Sequence, residues 1–133
     1  MLYFGYFVTA YWVKIMELIN LVRVYDAYPP YPENSYLIDR LWPRGISKAR
    51  LAGVIWLKDA APSSELRKWY HEHLDEWPIF YLQYTQELEN NASAQMLLEK
   101  LKQKQSITLL LGSKNHQENH GIVLRDFLLS KLK

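Results

Sequence analysis

The sequence predicts a single α/β domain built on a mainly parallel β-sheet that is flanked by helices. Segments rich in β-forming residues are followed by segments of helical periodicity, which is typical of strand–helix–strand units. The segment Ile107–Leu111 is apolar at nearly every position, as expected for a strand buried on both faces. With 133 residues the chain can bury one core, so we predict one domain.

The first half of the chain supplies two predicted strands. Residues 21–26 and residues 36–38 are rich in β-formers, and the prolines between them exclude regular structure. A short helical turn is predicted at residues 48–51. Trp56 then opens a loop that closes at Pro62.

The second half is mostly helical. Ser63 is a favourable N-cap for a first helix, Asp75 is the predicted cap of a second, and Ser93 starts a third. After the strand at Ile107–Leu111, a final helix is predicted from about residue 118 to residue 132. Its apolar face places His120 toward the sheet from the first turn.

Residues 36–48 (YLIDRLWPRGISK) form the most informative stretch. It begins as a strand, and Pro43 and Gly45 then force a loop. Charged groups at the end of a strand are costly to bury without partners, so their density indicates a site. The stretch contains a carboxylate, two guanidinium groups, an indole and an ammonium group, from Asp39, Arg40, Arg44, Trp42 and Lys48.

If the two strands run parallel, this loop and the loop after the last strand leave the sheet at the same edge. Ligands of open parallel sheets bind at that edge, outside the carboxyl ends of the strands. Guanidinium forks and the N-terminus of the last helix would together suit an anion. The predicted ligand-binding residues are Asp39, Arg40, Trp42, Arg44, Lys48, Asn119 and His120. No catalytic residue is assigned, although His120 beside Asp39 could act as a general acid or base.

An alternative interpretation is purely structural. Asp39 could pair with Arg40, Arg44 or Arg67 in a buried network that fixes the loop. The sequence contains no phosphate-loop glycine pattern that would exclude it.

A metal or cofactor is not predicted. His71 and His73, and His116 and His120, have spacings seen in metal sites, but no H-E-x-x-H glutamate accompanies them. The chain has no cysteine, which excludes thiolate ligands and disulfides and is typical of a cytoplasmic protein. The net charge of +2 is too small to predict nucleic-acid binding by itself.

The first 15 residues are apolar and aromatic, with one charge at Lys14. The run is too short for a membrane span and lacks the basic start of a signal peptide. No membrane association is predicted. An extra edge strand, a dimer contact and a segment outside the fold remain alternatives, and the oligomeric state is not predicted.

Several separated motifs resemble those of a bacterial family, the YeaO-like family (domain of unknown function 488). The opening Arg23-Val24-Tyr25-Asp26 and the signature from Asp39 to Gly45 match it, and further matches follow at Trp56-Leu57, Ala61-Pro62-Ser63, Leu66-Arg67, Glu87-Leu88, Thr108-Leu109-Leu110 and Asn119-His120. The resemblance implies an α/β fold and a site at the signature, without an established reaction. It also implies that the core spans residues 16–133, since members commonly begin near Met16, with residues 1–15 as an extension.

Two positions depart from the family pattern. Glu72 stands where the family usually has a histidine, so a role for that histidine does not carry over. Asn115 stands where the family tends to have aspartate, which removes an ionised partner from the loop after the last strand.

Three functions follow from these observations. The first is a domain that binds a small phosphate- or carboxylate-bearing ligand, with enzymatic activity left open. The second is a nucleic-acid or regulatory partner-binding module that uses Trp42 and Trp56 as stacking faces. The third is an accessory protein without pocket chemistry.

Overall fold

The computed structural model describes residues 14–132 of the chain. A helical end at residues 14–16 leads into the elements of the domain. In chain order these are β1 (Ile19–Arg23), a 3₁₀ turn (Val24–Asp26), β2 (Ser35–Leu37), a 3₁₀ turn (Ala49–Leu51), β3 (Ile55–Trp56), a 3₁₀ turn (Lys58–Ala60), α1 (Ser64–His71), α2 (Trp77–Leu88), α3 (Ala92–Lys102), β4 (Ile107–Leu111) and α4 (His120–Lys131).

The four strands form one parallel sheet in the order β1-β4-β2-β3. Leu109 lies opposite Leu21 on one side and Tyr36 on the other. Every residue of β4 is buried, which confirms the prediction of a central strand. The predicted α/β domain with a parallel sheet is therefore confirmed.

The two faces of the sheet are covered differently. Tyr36 and Leu109 belong to a core shared with all four helices α1–α4, whereas Leu37 and Leu110 point to the other face. That second face packs on the loop residues Ile46, Leu51 and Trp42. The helices thus lie on one side, and the segment that carries the charged signature covers the other.

Two strands differ from the prediction. The first strand runs from Ile19 to Arg23 rather than over residues 21–26. Because Arg23 pairs with Leu111, the last residue of β4, no strand remains to pair with Val24, and the chain turns into a 3₁₀ helix. The short edge strand β3 was not predicted, since two residues carry too little periodicity to be recognised.

The helix caps are partly as predicted. The Ser63 hydroxyl accepts from the Leu66 N–H at 3.2 Å, as expected. Asp75 does not cap α2: Glu76 occupies the N-cap position without a side-chain bond, because Pro78 removes an N–H that a cap would serve. Asn91 caps α3 in place of the predicted start at Ser93.

The predicted extension falls mostly on residues 1–13, which lie outside the described residues. Ile15 is 9% exposed, and its carbonyl accepts from the Leu18 N–H at 3.0 Å. Between residues 14 and 132, no helix combines the length and apolar character needed to cross a membrane.

Candidate functional site

The carboxyl ends of β2 and β4 lie side by side, because the two strands are adjacent and parallel. The Ile38 N–H donates to the Leu110 carbonyl at 3.0 Å, which extends the pairing one residue beyond β2. Asp39 and Gly112 therefore leave the sheet next to each other. This position is the edge at which parallel sheets bind ligands.

Asp39 is held at that edge by contacts to three other segments. Its Oδ2 accepts from the Gly112 N–H at 2.8 Å, and its Oδ1 lies 3.2 Å from Nε2 of His120. Its backbone carbonyl accepts from the indole N–H of Trp56 at 2.7 Å. A Cβ atom on Gly112 would lie 2.9 Å from Oδ2, so glycine permits this close approach.

His120 is the first residue of α4, and the cap of that helix fixes its direction. Asn119 accepts from the Ile122 N–H through Oδ1 at 3.0 Å and donates through Nδ2 to the Asn115 carbonyl at 2.7 Å. The loop and the first turn are thereby joined. As the helical spacing predicted, the imidazole points back toward the sheet.

The hydrogen bonds of His120 identify its tautomer. Nε2 lies 3.0 Å from the Ile38 carbonyl and 3.2 Å from the Asp39 carboxylate. Both partners are acceptors, so Nε2 carries a proton. Nδ1 has no partner among the described residues, and no hydroxyl group of those residues bonds to the imidazole. A nucleophile–histidine pair is therefore not assembled there.

Arg40 has a structural role that the sequence did not reveal. Its Nε donates to the Pro62 carbonyl at 2.8 Å, and its Nη2 donates to the Ala61 carbonyl at 3.2 Å. The same loop is held by the Tyr84 hydroxyl, which donates to Ala60. Burial, followed by the nearby Glu87, raises the pKa of Tyr84, so this phenol stays a donor.

These contacts build one wall of a cavity of about 680 Å³ at the carboxyl edge of the sheet. The cavity lies between the end of β2, helix α1 with the turn after it, and the loop of residues 113–119. One part of its surface is apolar and comes from Leu41, Ala61, Pro62, Leu74 and Phe80. The polar part of the lining comes from Asp39, Arg40, Arg67, Lys114, Glu118, Asn119 and His120.

Arg67 is a cation at this cavity that lacks a full set of partners. Its Nε is buried and has no hydrogen-bond partner among the described residues. Lys114 lines the same cavity and is exposed. No arginine forms an ion pair with Asp39 within residues 14–132, so the alternative prediction that Asp39 pairs with an arginine is wrong. Asp39 instead contacts His120 and the Gly112 N–H.

Tyr70 brings a hydroxyl group to the cavity from α1. Burial, followed by the negative charge of Glu118, raises its pKa. Its ring stacks on Phe80 with centroids 4.3 Å apart. The phenol is therefore a rigid neutral group in the lining of the cavity.

Four of the seven predicted site residues line this cavity, namely Asp39, Arg40, Asn119 and His120. Trp42, Arg44 and Lys48 do not. The Trp42 indole donates to the Ile46 carbonyl at 2.6 Å beneath the sheet, and the side chains of Arg44 and Lys48 are exposed. The Arg44 carbonyl accepts from the Tyr25 hydroxyl at 2.9 Å, which fixes the loop backbone.

Other lining residues were not predicted as ligand contacts. They are Arg67, Tyr70, His71, Lys114 and Glu118. Arg67 was predicted only as a possible partner of Asp39, and His71 was considered only as one half of a possible metal pair. Across residues 14–132, no three histidine, aspartate or glutamate side chains are arranged to hold a metal ion.

Comparison with known proteins identifies relatives over nearly the whole described chain. A sequence model described as the inactive DUF488-N3 subclade matches residues 18–133. YeaO of Escherichia coli, an uncharacterised protein, is 41% identical over 112 residues, which cover 84% of this chain and 97% of YeaO.

An uncharacterised protein of Mycobacterium bovis is 36% identical over 110 residues, covering 83% of this chain and 92% of the relative. An uncharacterised protein of Mycobacterium tuberculosis has the same identity and coverage. No solved structure has significant similarity to the chain. The names of these relatives state no activity.

Proposed function

The chain belongs to the YeaO-like family of domains of unknown function 488, and from this premise we propose that it binds a small organic anion in the cavity beside Asp39 and His120. The ligand class is a phosphate- or carboxylate-bearing molecule with an apolar or aromatic part. The proposed activity is binding rather than catalysis.

One observation carries the proposal. The cavity of about 680 Å³ combines apolar lining with Arg67, a cation that forms no ion pair within residues 14–132. The terminal Nη groups of its guanidinium can donate to an oxyanion in the cavity. Ligand pockets of this size commonly join apolar lining with a few polar groups that fix orientation.

Two observations favour binding over catalysis. The matched subclade is described as inactive. In addition, Nε2 of His120 is occupied by Asp39 and the Ile38 carbonyl, and the described residues supply no nucleophile in contact with the ring. The Asp39–His120 pair joins β2 to α4 and would position the ligand rather than react with it.

The residues therefore receive different proposed roles. Arg67 and Lys114 would contact the anionic group, and Leu74 with Tyr70 would contact the apolar part. Asp39, Arg40 and Asn119 would hold the walls of the cavity. His120 would offer Nδ1, the acceptor nitrogen of its neutral ring, to a hydrogen-bond donor of the ligand. These roles extend the site predicted from the signature to helix α1.

The experiment is a calorimetric titration with phenyl phosphate, which joins one oxyanion to one ring, beside inorganic phosphate as the ring-free probe. Arg67→Gln should weaken phenyl phosphate binding roughly tenfold or more, since a hydrogen bond to a charged group contributes about 1.5–3 kcal/mol. Leu74→Asn should weaken phenyl phosphate binding and leave inorganic phosphate binding unchanged.

Matched controls exist for both changes. Leu82→Asn alters a leucine on α2 that is 58% exposed, against 61% for Leu74, and that does not line the cavity. Arg44→Gln removes an exposed arginine outside the cavity. Equal affinity of wild type, Arg67→Gln and Leu74→Asn for phenyl phosphate would contradict the proposal.

A second candidate function rests on exposed rings at the edge strand β3. Trp56 is 40% exposed, its ring lies edge-on to Trp42 at 5.3 Å, and Lys58 Nζ is 5.3 Å from its centroid. Arg44 and Lys48 are exposed in the loop that follows Trp42. Rings beside exposed cations are the elements of a surface for single-stranded nucleic acid.

Titration of a single-stranded thymidine oligonucleotide tests this candidate. Binding through this surface should quench tryptophan fluorescence, weaken with salt, and weaken further in Arg44→Gln and Lys48→Gln. Arg67→Gln should have no effect on it. Unchanged fluorescence at low salt would eliminate the candidate.

A further inference from the structure

A second cavity lies at the carboxyl ends of β1 and β4, and it shares Ser113 and Asn119 with the first. Its volume is about 210 Å³. Arg23 enters it from the end of β1, and Arg125 enters it from α4. His116 completes the polar lining from the loop, and no carboxylate side chain of the described residues is part of it.

Both arginines have an unused buried donor. The Nε atoms of Arg23 and Arg125 are buried and have no hydrogen-bond partner in the part of the chain that the structure describes. The carboxylates paired with them are too distant for a hydrogen bond: Asp26 lies 3.9 Å from Arg23 Nη1, and Asp126 lies 3.6 Å from Arg125 Nε. The two carboxylates are 65% and 38% exposed, so water screens their charge.

Two guanidinium groups line one small cavity that contains no carboxylate side chain of the described residues, so their charges favour an anion there. Each planar fork can donate two parallel bonds to an oxyanion through its terminal Nη atoms. His116 adds a ring nitrogen that can donate a further hydrogen bond. The apolar part of the lining comes from Leu21, Leu111 and Ile122.

We propose that this second cavity binds a small tetrahedral oxyanion, either free phosphate or the phosphoryl group of a larger molecule. Arg23, at the end of β1, and Arg125, on α4, contact the oxygens. The volume is several times the roughly 30 Å³ of a liquid water molecule, which suits one such group. The site is separate from the organic-anion cavity, and it does not depend on the function proposed for that cavity.

The experiment is a titration of the full chain with inorganic phosphate and with methyl phosphate, at constant ionic strength set by chloride. Arg23→Gln and Arg125→Gln should each weaken phosphate binding roughly tenfold or more. Arg125→Lys keeps the charge and loses the fork, so it should also weaken binding and is the variant more certain to fold. If methyl phosphate binds as tightly as inorganic phosphate, the site takes the phosphoryl group of a larger molecule. If methyl phosphate binds more weakly, the site takes free phosphate.

Two matched variants control for the loss of a positive charge. Arg44→Gln and Lys102→Gln each remove an exposed cation that lines neither cavity, and each should leave the affinity for inorganic phosphate at wild-type level. The inference is overturned if wild type binds phosphate no better than chloride, or if Arg23→Gln and Arg125→Lys both bind phosphate as wild type does. It is also overturned if Arg67→Gln alone abolishes phosphate binding.

Discussion

Nε2 of His120 lies 3.2 Å from Oδ1 of Asp39, and this contact joins the end of β2 to the first residue of α4. Oδ2 of the same carboxylate accepts from the Gly112 N–H at the end of β4. One side chain therefore links the central strand, its neighbour and the final helix at the wall of the larger cavity.

Asp39→Asn should destabilise the domain by roughly 1–3 kcal/mol, because an amide has one acceptor oxygen for two donors and presents an NH₂ group to the other. Urea unfolding measures the change. Asp26→Asn is the matched control, since Asp26 is 65% exposed and makes only a 3.9 Å ion pair. Equal unfolding midpoints for wild type and Asp39→Asn would contradict this role.

Gly112→Ala should destabilise the domain by about 1–3 kcal/mol, because the added Cβ would lie 2.9 Å from Asp39 Oδ2. A double-mutant cycle with Asp39→Ala tests the cause. Removing the carboxylate should remove most of the additional cost of Gly112→Ala. If the free-energy costs of Gly112→Ala and Asp39→Ala simply add, the strain does not come from the contact between these two residues.

Tyr81 should make stability fall at high pH. Burial, followed by the hydrogen bond from its hydroxyl to Asp126 at 2.7 Å, raises its pKa from 10.0 to about 12. Between these values the unfolded chain loses the proton and the folded chain keeps it. The unfolded state therefore binds fewer protons, and stability decreases as pH rises from about 10 to 12.

Urea midpoints measured across that pH range check the expectation. Tyr81→Phe should show a shallower decrease than wild type, because the titrating phenol is gone. Part of the decrease in stability with rising pH should remain in Tyr81→Phe, because the pKa values of three other tyrosines are also raised. These are Tyr36, Tyr70 and Tyr84. Identical slopes in wild type and Tyr81→Phe would be inconsistent with this account.

A chain that begins at Met16 should fold cooperatively and melt within a few degrees of the full chain. The family match begins at residue 18. Of the two described residues that precede Met16, Lys14 is exposed and Ile15 is buried, so the shorter chain removes one small piece of the apolar core. Thermal melting of both chains measures the difference. An insoluble or much less stable short chain would show that residues 1–15 belong to the core.

The fold was largely predictable because its strongest signals are local. The apolar run of β4 specifies a buried strand, and the N-cap at Ser63 specifies where α1 begins. The two-residue strand β3 was missed because it depends on the pairing of Ile55 and Trp56 with β2 rather than on local pattern. Tertiary contacts of this kind leave little trace in a sequence.

The candidate site was predictable only at its sheet edge. Charge density indicated Asp39 and Arg40, and helical phase indicated His120. Arg67 and Lys114 reach the cavity through the packing of α1 and the course of a loop, which no spacing encodes. Arg44 has the same charge as Arg67, but its side chain is exposed and does not line the cavity.

A crystal structure of the protein grown with phenyl phosphate tests the central claim most directly. The proposed function predicts the phosphate group on the Arg67 guanidinium and the ring against Leu74 and Tyr70, within the cavity beside His120. Phenyl phosphate bound instead at Arg44 and Lys48 beside Trp42, or absent from the cavity at saturating concentration, would contradict it.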